Sequence, residues 1–113
     1  MNGEQGIWRI SDTAGTRQLV VDAYSRGRGK KWIWLRCIVC STDALADPLS
    51  GVVTFHLHEE YDDHFRRAKI PVARGEAIYV VPTDGPFEVR AETGNVDLHV
   101  NLNELKGITW WRP

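Results

Sequence analysis

Apolar and polar positions alternate along most of this chain. Residues 18–24 put Leu19, Val21 and Ala23 on one side of an extended backbone, because successive side chains of a strand point to opposite faces. Residues 32–39 put Ile33, Leu35, Cys37 and Val39 on one side, and Trp32, Trp34 and Ile38 on the other together with Arg36. A strand apolar on both sides belongs in the middle of a sheet. Residues 52–58 turn Val53, Phe55 and Leu57 inward and Thr54, His56 and His58 outward. In 67–72, Ala68, Ile70 and Val72 alternate with Arg67, Lys69 and Pro71, and the proline marks an edge strand or a strand end. Residues 77–81 form a short β-rich run, 87–91 alternate around Phe87, Val89 and Ala91, and 96–102 turn Val96, Leu98, Val100 and Leu102 inward. A weaker run, 7–10, adds to an edge. Residues 43–49 are the one place that suits a turn of helix.

Turn-forming residues separate these runs: Gly27-Arg28-Gly29, Asp47-Pro48 with Gly51, Arg74-Gly75, Pro82 to Pro86, and Thr93-Gly94-Asn95. Each supplies the positive φ, fixed φ or local side-chain hydrogen bond that a tight turn needs. About seven or eight antiparallel strands at spacings of roughly 8–12 residues predict an all-β sandwich or barrel. With 113 residues, the expectation is a single domain over the whole of 1–113, large enough to bury a core without staples.

Composition narrows the function. The 14 basic and 15 acidic residues leave a net charge of −1, which argues against a nucleic-acid partner, since phosphate binding needs a cationic surface. No apolar run approaches the ~20 residues that span a bilayer, and Met1-Asn2-Gly3-Glu4-Gln5 does not open a signal peptide. A cytoplasmic protein with no membrane partner is the expectation. The five tryptophans, Trp8, Trp32, Trp34, Trp110 and Trp111, divide between core and binding surface, because an indole is too large to leave idle on a small domain.

Two motifs invite chemistry. Cys37-Ile38-Val39-Cys40 is a lone CxxC on a β-run. There, residues three apart face opposite ways, and no second pair completes a zinc site. His56-Leu57-His58 puts two imidazoles on one strand face, as a sheet-borne metal site requires. With His64 or His99 as third ligand, and Glu59 or Glu60 as a carboxylate, it would make a small metal-dependent enzyme, loosely similar to a cupin. Glu60 comes too soon for the cupin pattern, and His99 too late. The Gly27-Arg28-Gly29-Lys30-Lys31 stretch lacks the spacing and the helix of a phosphate loop and reads as a basic hairpin.

The run Val52-Val53-Thr54-Phe55-His56-Leu57-His58-Glu59-Glu60-Tyr61 resembles the signature strand and loop of YEATS domains, in which a V-x-F-x-L-H strand leads to a loop ending in an aromatic. Lys31-Trp32-Ile33-Trp34-Leu35-Arg36 is similar to the tryptophan-led central strand of that family. Ile70-Pro71-Val72, Arg74-Gly75-Glu76-Ala77, Gly85-Pro86-Phe87-Glu88-Val89 and Leu102-Asn103-Glu104-Leu105 resemble its later blocks. The likeness covers roughly 16–106 and is closest to the prokaryotic branch. It implies an immunoglobulin-like sandwich, no cofactor and no catalysis. It also implies a recognition module that receives a modified side chain in a slot between loops, in a sensor or adaptor role close to signalling or defence effectors.

By position, the resemblance assigns ligand binding to His58, Glu60 and Tyr61 in the first loop, to Thr83, Asp84 and Gly85 in the second, and to Arg28 in the 26–31 hairpin. Two positions depart from an acyl-lysine reader: Asp84 stands where a second aromatic wall is expected, and Glu60 where a hydroxyl is. An acidic slot beside Tyr61 suits a free lysine, an arginine or another amine on a protein or peptide partner. A third reading, of another class, is an assembly subunit that uses Trp8, Trp110 and Trp111 as an interface.

Overall fold

The computed structural model describes residues 7–25, 33–57, 67–83 and 85–108. They form eight strands: β1 (Ile7–Ala14), β2 (Arg17–Ser25), β3 (Ile33–Ser41), β4 (Val52–His56), β5 (Arg67–Pro71), β6 (Glu76–Thr83), β7 (Glu88–Thr93) and β8 (Val96–Asn101). A short 3-10 turn, Leu102–Glu104, follows. The strands make two antiparallel four-stranded sheets, ordered β1-β2-β3-β6 and β5-β4-β7-β8. No helix among the described residues is long and apolar enough to cross a membrane.

The arrangement is an immunoglobulin-like sandwich, which decides between the two architectures that the strand spacing left open. In such domains the first, second and fifth strands share one sheet, and the third, sixth and seventh share the other. Here β2-β3-β6 and β4-β7-β8 take those places. The remaining strand, β5, pairs with β4 at the sheet edge, where Pro71 costs no ladder bond. The chain adds β1 outside β2, and at eight residues it is longer than the 7–10 expected. β1 comes beside β8 of the other sheet: the Asp12 carboxylate accepts from the His99 backbone N–H at 3.0 Å.

The expected inward rows are the core. Leu19, Val21, Ala23, Leu35, Cys37, Val39, Val53, Phe55, Val89, Ala91 and Leu98 have no exposure to water. Phe55 of β4 reaches across the sandwich to Tyr79 of β6, with ring centroids 5.7 Å apart. β3 lies between β2 and β6, as a strand apolar on both faces requires. Two-residue turns set the register of the hairpins. Gly94-Asn95 joins Thr93 to Val96 with positive φ at glycine only, the type II′ pattern. Arg74-Gly75, positive at both positions, closes the Ala73↔Glu76 bridge as a type I′ turn. Residues 43–47 make a helical turn within the expected 43–49, with the Asp47 N–H on the Asp43 carbonyl at 2.8 Å. Asp47 ties that turn down: its carboxylate accepts from Thr16 Oγ1 at 2.6 Å, and its carbonyl from Arg17 at 2.8 Å.

Among the described residues, Phe55 is the largest side chain fully enclosed. Phe55→Ala is expected to cost about 3–5 kcal/mol, as for other buried phenylalanines. Urea denaturation of the variant against the parent measures it, and a loss below 1 kcal/mol would contradict the packing described.

Candidate functional site

Register brings one set of strand ends together. Ser25 at the end of β2 pairs with Ile33 at the start of β3, and Ile33 pairs with Thr83 at the end of β6. In the other sheet, β4 ends at His56, opposite Arg67 at the start of β5. Only residues 84–87 join Thr83 of β6 to Glu88 of β7, so the two sheets are tied at this end. The flanks of segments 26–32 and 58–66, and both neighbours of residue 84, therefore meet at one end of the sandwich. His58, Glu60, Tyr61, Asp84 and Arg28 lie outside the described residues.

Two of the proposed ligand-binding residues, Thr83 and Gly85, are described, and the backbone uses both. The Thr83 hydroxyl donates to the Gly85 carbonyl at 2.7 Å and accepts from the Gly85 N–H at 3.2 Å. This reciprocal pair pins the connection on either side of residue 84. Thr83 is buried, so its hydroxyl braces the loop. Further along, the Phe87 carbonyl accepts from the Leu102 N–H at 3.0 Å, and Phe87 itself is buried.

The histidines separate. His56, Arg90 and His99 lie in one row across β4, β7 and β8, with Arg90 in the middle. The two imidazoles thus stand two strands apart, about 10 Å between backbones. Each has its own carboxylate: His56 Nε2 to Glu92 Oε1 at 2.6 Å, and His99 Nδ1 to Glu88 Oε2 at 3.1 Å. Arg90 bonds to Asp97 at 3.1 Å. The proposed metal trio of His56, His58 and His99 does not assemble from its two described members. Among the described residues no group of three or more metal-ligating side chains forms. The two cysteines are free thiols on opposite faces. Burial, together with the charge of Asp22, pushes the Cys37 thiol up to about 12. Burial, helped by Glu76, also raises Cys40. A thiol held this high is not the nucleophile that CxxC chemistry needs.

The strongest electrostatic feature among the described residues corresponds to no local sequence motif. Asp22 sits on the outer row of β2, yet only 1% of its side chain is exposed. Arg9 of β1 holds it with both ends of a fork, Nε to Oδ1 at 2.6 Å and Nη2 to Oδ2 at 3.0 Å. Arg36 of β3 adds a bond at 2.9 Å. The three residues are direct cross-strand neighbours. The Arg9 hydrogen bond holds the Asp22 carboxyl below the usual range, against the opposing effect of burial. One signal was present in the sequence: Arg36 stands alone among Trp34, Ile38 and their neighbours, and a cation on such a face needs a partner. Trp8, an interface residue on the third reading, is partly buried against the core. Trp110 and Trp111 lie outside the described residues.

No family model, curated protein or solved structure matches this chain.

The sign of the Asp22 effect on stability follows from its lowered pKa. The stabilisation is complete above the unfolded carboxyl value of about 3.9 and is lost as pH falls through the lower folded value. Asp22→Asn is expected to lose roughly 1.5–3 kcal/mol at pH 7, the range for hydrogen bonds to charged groups. The deficit should shrink as pH drops below about 4. Denaturation at pH 7 and pH 3 measures both, and a deficit independent of pH would refute the assignment.

Proposed function

We propose that this chain is a YEATS-like recognition module that does no catalysis and takes a basic side chain of a protein or peptide partner into a slot at one end of the sandwich. Segments 26–31, 58–61 and 82–87 form the slot. The observation that carries the reading is the meeting of the strand ends that flank these segments. An immunoglobulin-like sandwich collects its loops at its two ends, and loops on a rigid scaffold are where binding residues concentrate.

The residues set the chemistry of the ligand. Tyr61 offers an aromatic face to a cation. Glu60 and Asp84 supply carboxylates for charge-assisted hydrogen bonds. Thr83 and Gly85 contribute by fixing the loop around Asp84, through the reciprocal hydroxyl contacts at 2.7 and 3.2 Å. His58 braces the first loop, and Arg28 borders the slot from the hairpin. A neutral acyl-amide meets one aromatic wall here and two carboxylates that it cannot satisfy. A lysine or arginine satisfies all three. The role that follows is that of a sensor or adaptor in the cytoplasm.

Calorimetric titration with a lysine-bearing peptide and its acetylated counterpart tests the reading. The unmodified peptide should bind about tenfold more tightly, as one charge-assisted hydrogen bond implies. Tyr61→Ala should weaken it by about 3-fold to 30-fold, the range of a cation–π contact. A preference for the acetylated peptide that Tyr61→Ala abolishes would overturn the choice of ligand. Absence of binding by either peptide at millimolar concentration would overturn the slot.

A further inference from the structure

The two outer faces of the sandwich differ in kind. The outer face of β5-β4-β7-β8 is a network of charges, including Arg67, Lys69, Glu88, Arg90, Glu92 and Asp97. This is the usual state of a solvated sheet face. The outer face of β1-β2-β3-β6 is not like that. Its third row is Ser11, Val20, Ile38 and Ile78, and Val80 follows Ile78 on β6. Ile78 is 44% exposed and Val80 42%. These β-branched aliphatic side chains, open to water on β6 and half-buried on β2 and β3, mark a surface that some other surface covers.

The charges on this face choose the occupant. One row from the aliphatic row, Arg9 and Arg36 share the single carboxylate of Asp22, which leaves one positive charge in excess. One row to the other side stands Glu76, on the strand next to Cys40. The surplus cation and the free anion thus lie on opposite sides of the aliphatic row, at equal distance from it. A two-fold axis along the Ile38–Ile78 row superposes these two rows. It brings Arg36 of each copy one strand spacing, about 4.8 Å, sideways from Glu76 of the other, across the roughly 10 Å between stacked sheets, a gap that the two side chains span together. The same axis seats Ile38 and Ile78 against their own copies. The aliphatic row and the Arg36–Glu76 pairs match their own copies, as an isologous interface requires, while Val80 of each copy stands over Glu76 of the other.

We propose that the outer face of β1-β2-β3-β6 is a self-association surface, on which two copies of this chain pair face to face about a two-fold axis along the Ile38–Ile78 row. Three rows of four strands cover about 400 Å² of flat area at ordinary sheet spacings. That is roughly half of what each partner buries in a standard interface, so the dimer is a weak one.

Sedimentation equilibrium tests it, over a range from about 1 µM to about 1 mM that spans weak specific association. The mass should rise from monomer to dimer. Ile78→Asp should hold it at monomer, and Glu76→Arg, which sets like charges together, should raise the dissociation constant about tenfold or more. The register has its own test, in a Cys40→Ser background. Ile78→Cys meets its own copy and should give a disulfide-linked dimer on oxidation. Val52→Cys, 50% exposed on the other sheet, should not. A parent chain that stays monomeric to about 1 mM, or equal cross-linking at both positions, overturns the proposal. In the first case the face belongs to a different protein.

Discussion

Leu19, Val21, Ala23, Leu35 and Val39 of one sheet, and Val53, Phe55, Val89 and Leu98 of the other, escape water only by facing each other. Because strand side chains alternate strictly, a slip of one residue in any strand would turn its whole apolar row outward. Burial therefore fixes the register of each strand as well as its place. On β2 the consequence is severe: with Leu19, Val21 and Ala23 inward, Asp22 has to stand on the outer row. The same parity stations Arg9 and Arg36 at its sides. The ion row is thus produced by the core, several ångströms away on the other side of the backbone.

A carboxylate shielded from water is costly unless its lone pairs are filled. Three hydrogen bonds from two guanidiniums occupy three of the roughly four lone-pair sites of Asp22. The guanidiniums themselves remain partly hydrated, with 63% and 45% of their side chains exposed. The desolvation cost falls mainly on the one anion, and the net gain is modest, since an ion pair of this kind rarely outdoes well-packed apolar residues. What the row adds is lateral. A register error between β1 and β2, or between β2 and β3, strands the Asp22 charge. The row thereby specifies strand alignment on a face whose aliphatic side chains would tolerate sliding.

The strands were legible because their signal is local. Alternation within five to nine residues identified the inward positions of β2, β3, β4, β7 and β8 without reference to any partner. Leu57, which follows β4, is buried at the strand end as its parity requires. β1 was under-read: its outward positions Ile7, Arg9, Ser11 and Thr13 mix apolar and polar residues, and Gly15 between Ala14 and Thr16 offers little of a turn cluster. Features that depend on pairing across the chain were not legible. Asp22 meets Arg9 and Arg36 at separations of 13 and 14 residues, and His56 meets Glu92 at 36. The His56-Leu57-His58 motif showed two imidazoles on one face. It could not show that Arg90 would stand between His56 and His99. For the proposed slot, the sequence supplied the strands and their parity, whereas the meeting of their ends at Ser25, Ile33, His56, Arg67 and Thr83 follows only from the pairing across the sheets. It could not supply the closure of the 83–85 turn by a threonine hydroxyl, because threonine is equally at home as an ordinary strand residue.

The end of the sandwich and the outer face of β1-β2-β3-β6 are perpendicular surfaces, and this bears on how the two can work together. Loops leave the sheets along the strand direction, whereas face-to-face pairing acts along the normal to the sheet. In a pair formed about an axis across the strands, the strands of the two copies run in opposite senses. The two gatherings of strand ends then point away from each other. Neither proposed slot would then be covered, and two ligand segments on one partner chain would engage both only if the linker between them spanned the length of the sandwich. Strands of eight or nine residues rise roughly 25–30 Å. A flexible linker of about 25 residues has a root-mean-square reach of that order. Shorter linkers would forfeit the second contact, so a weak dimer of this geometry would discriminate between partners by the spacing of their basic side chains as well as by the side chains themselves.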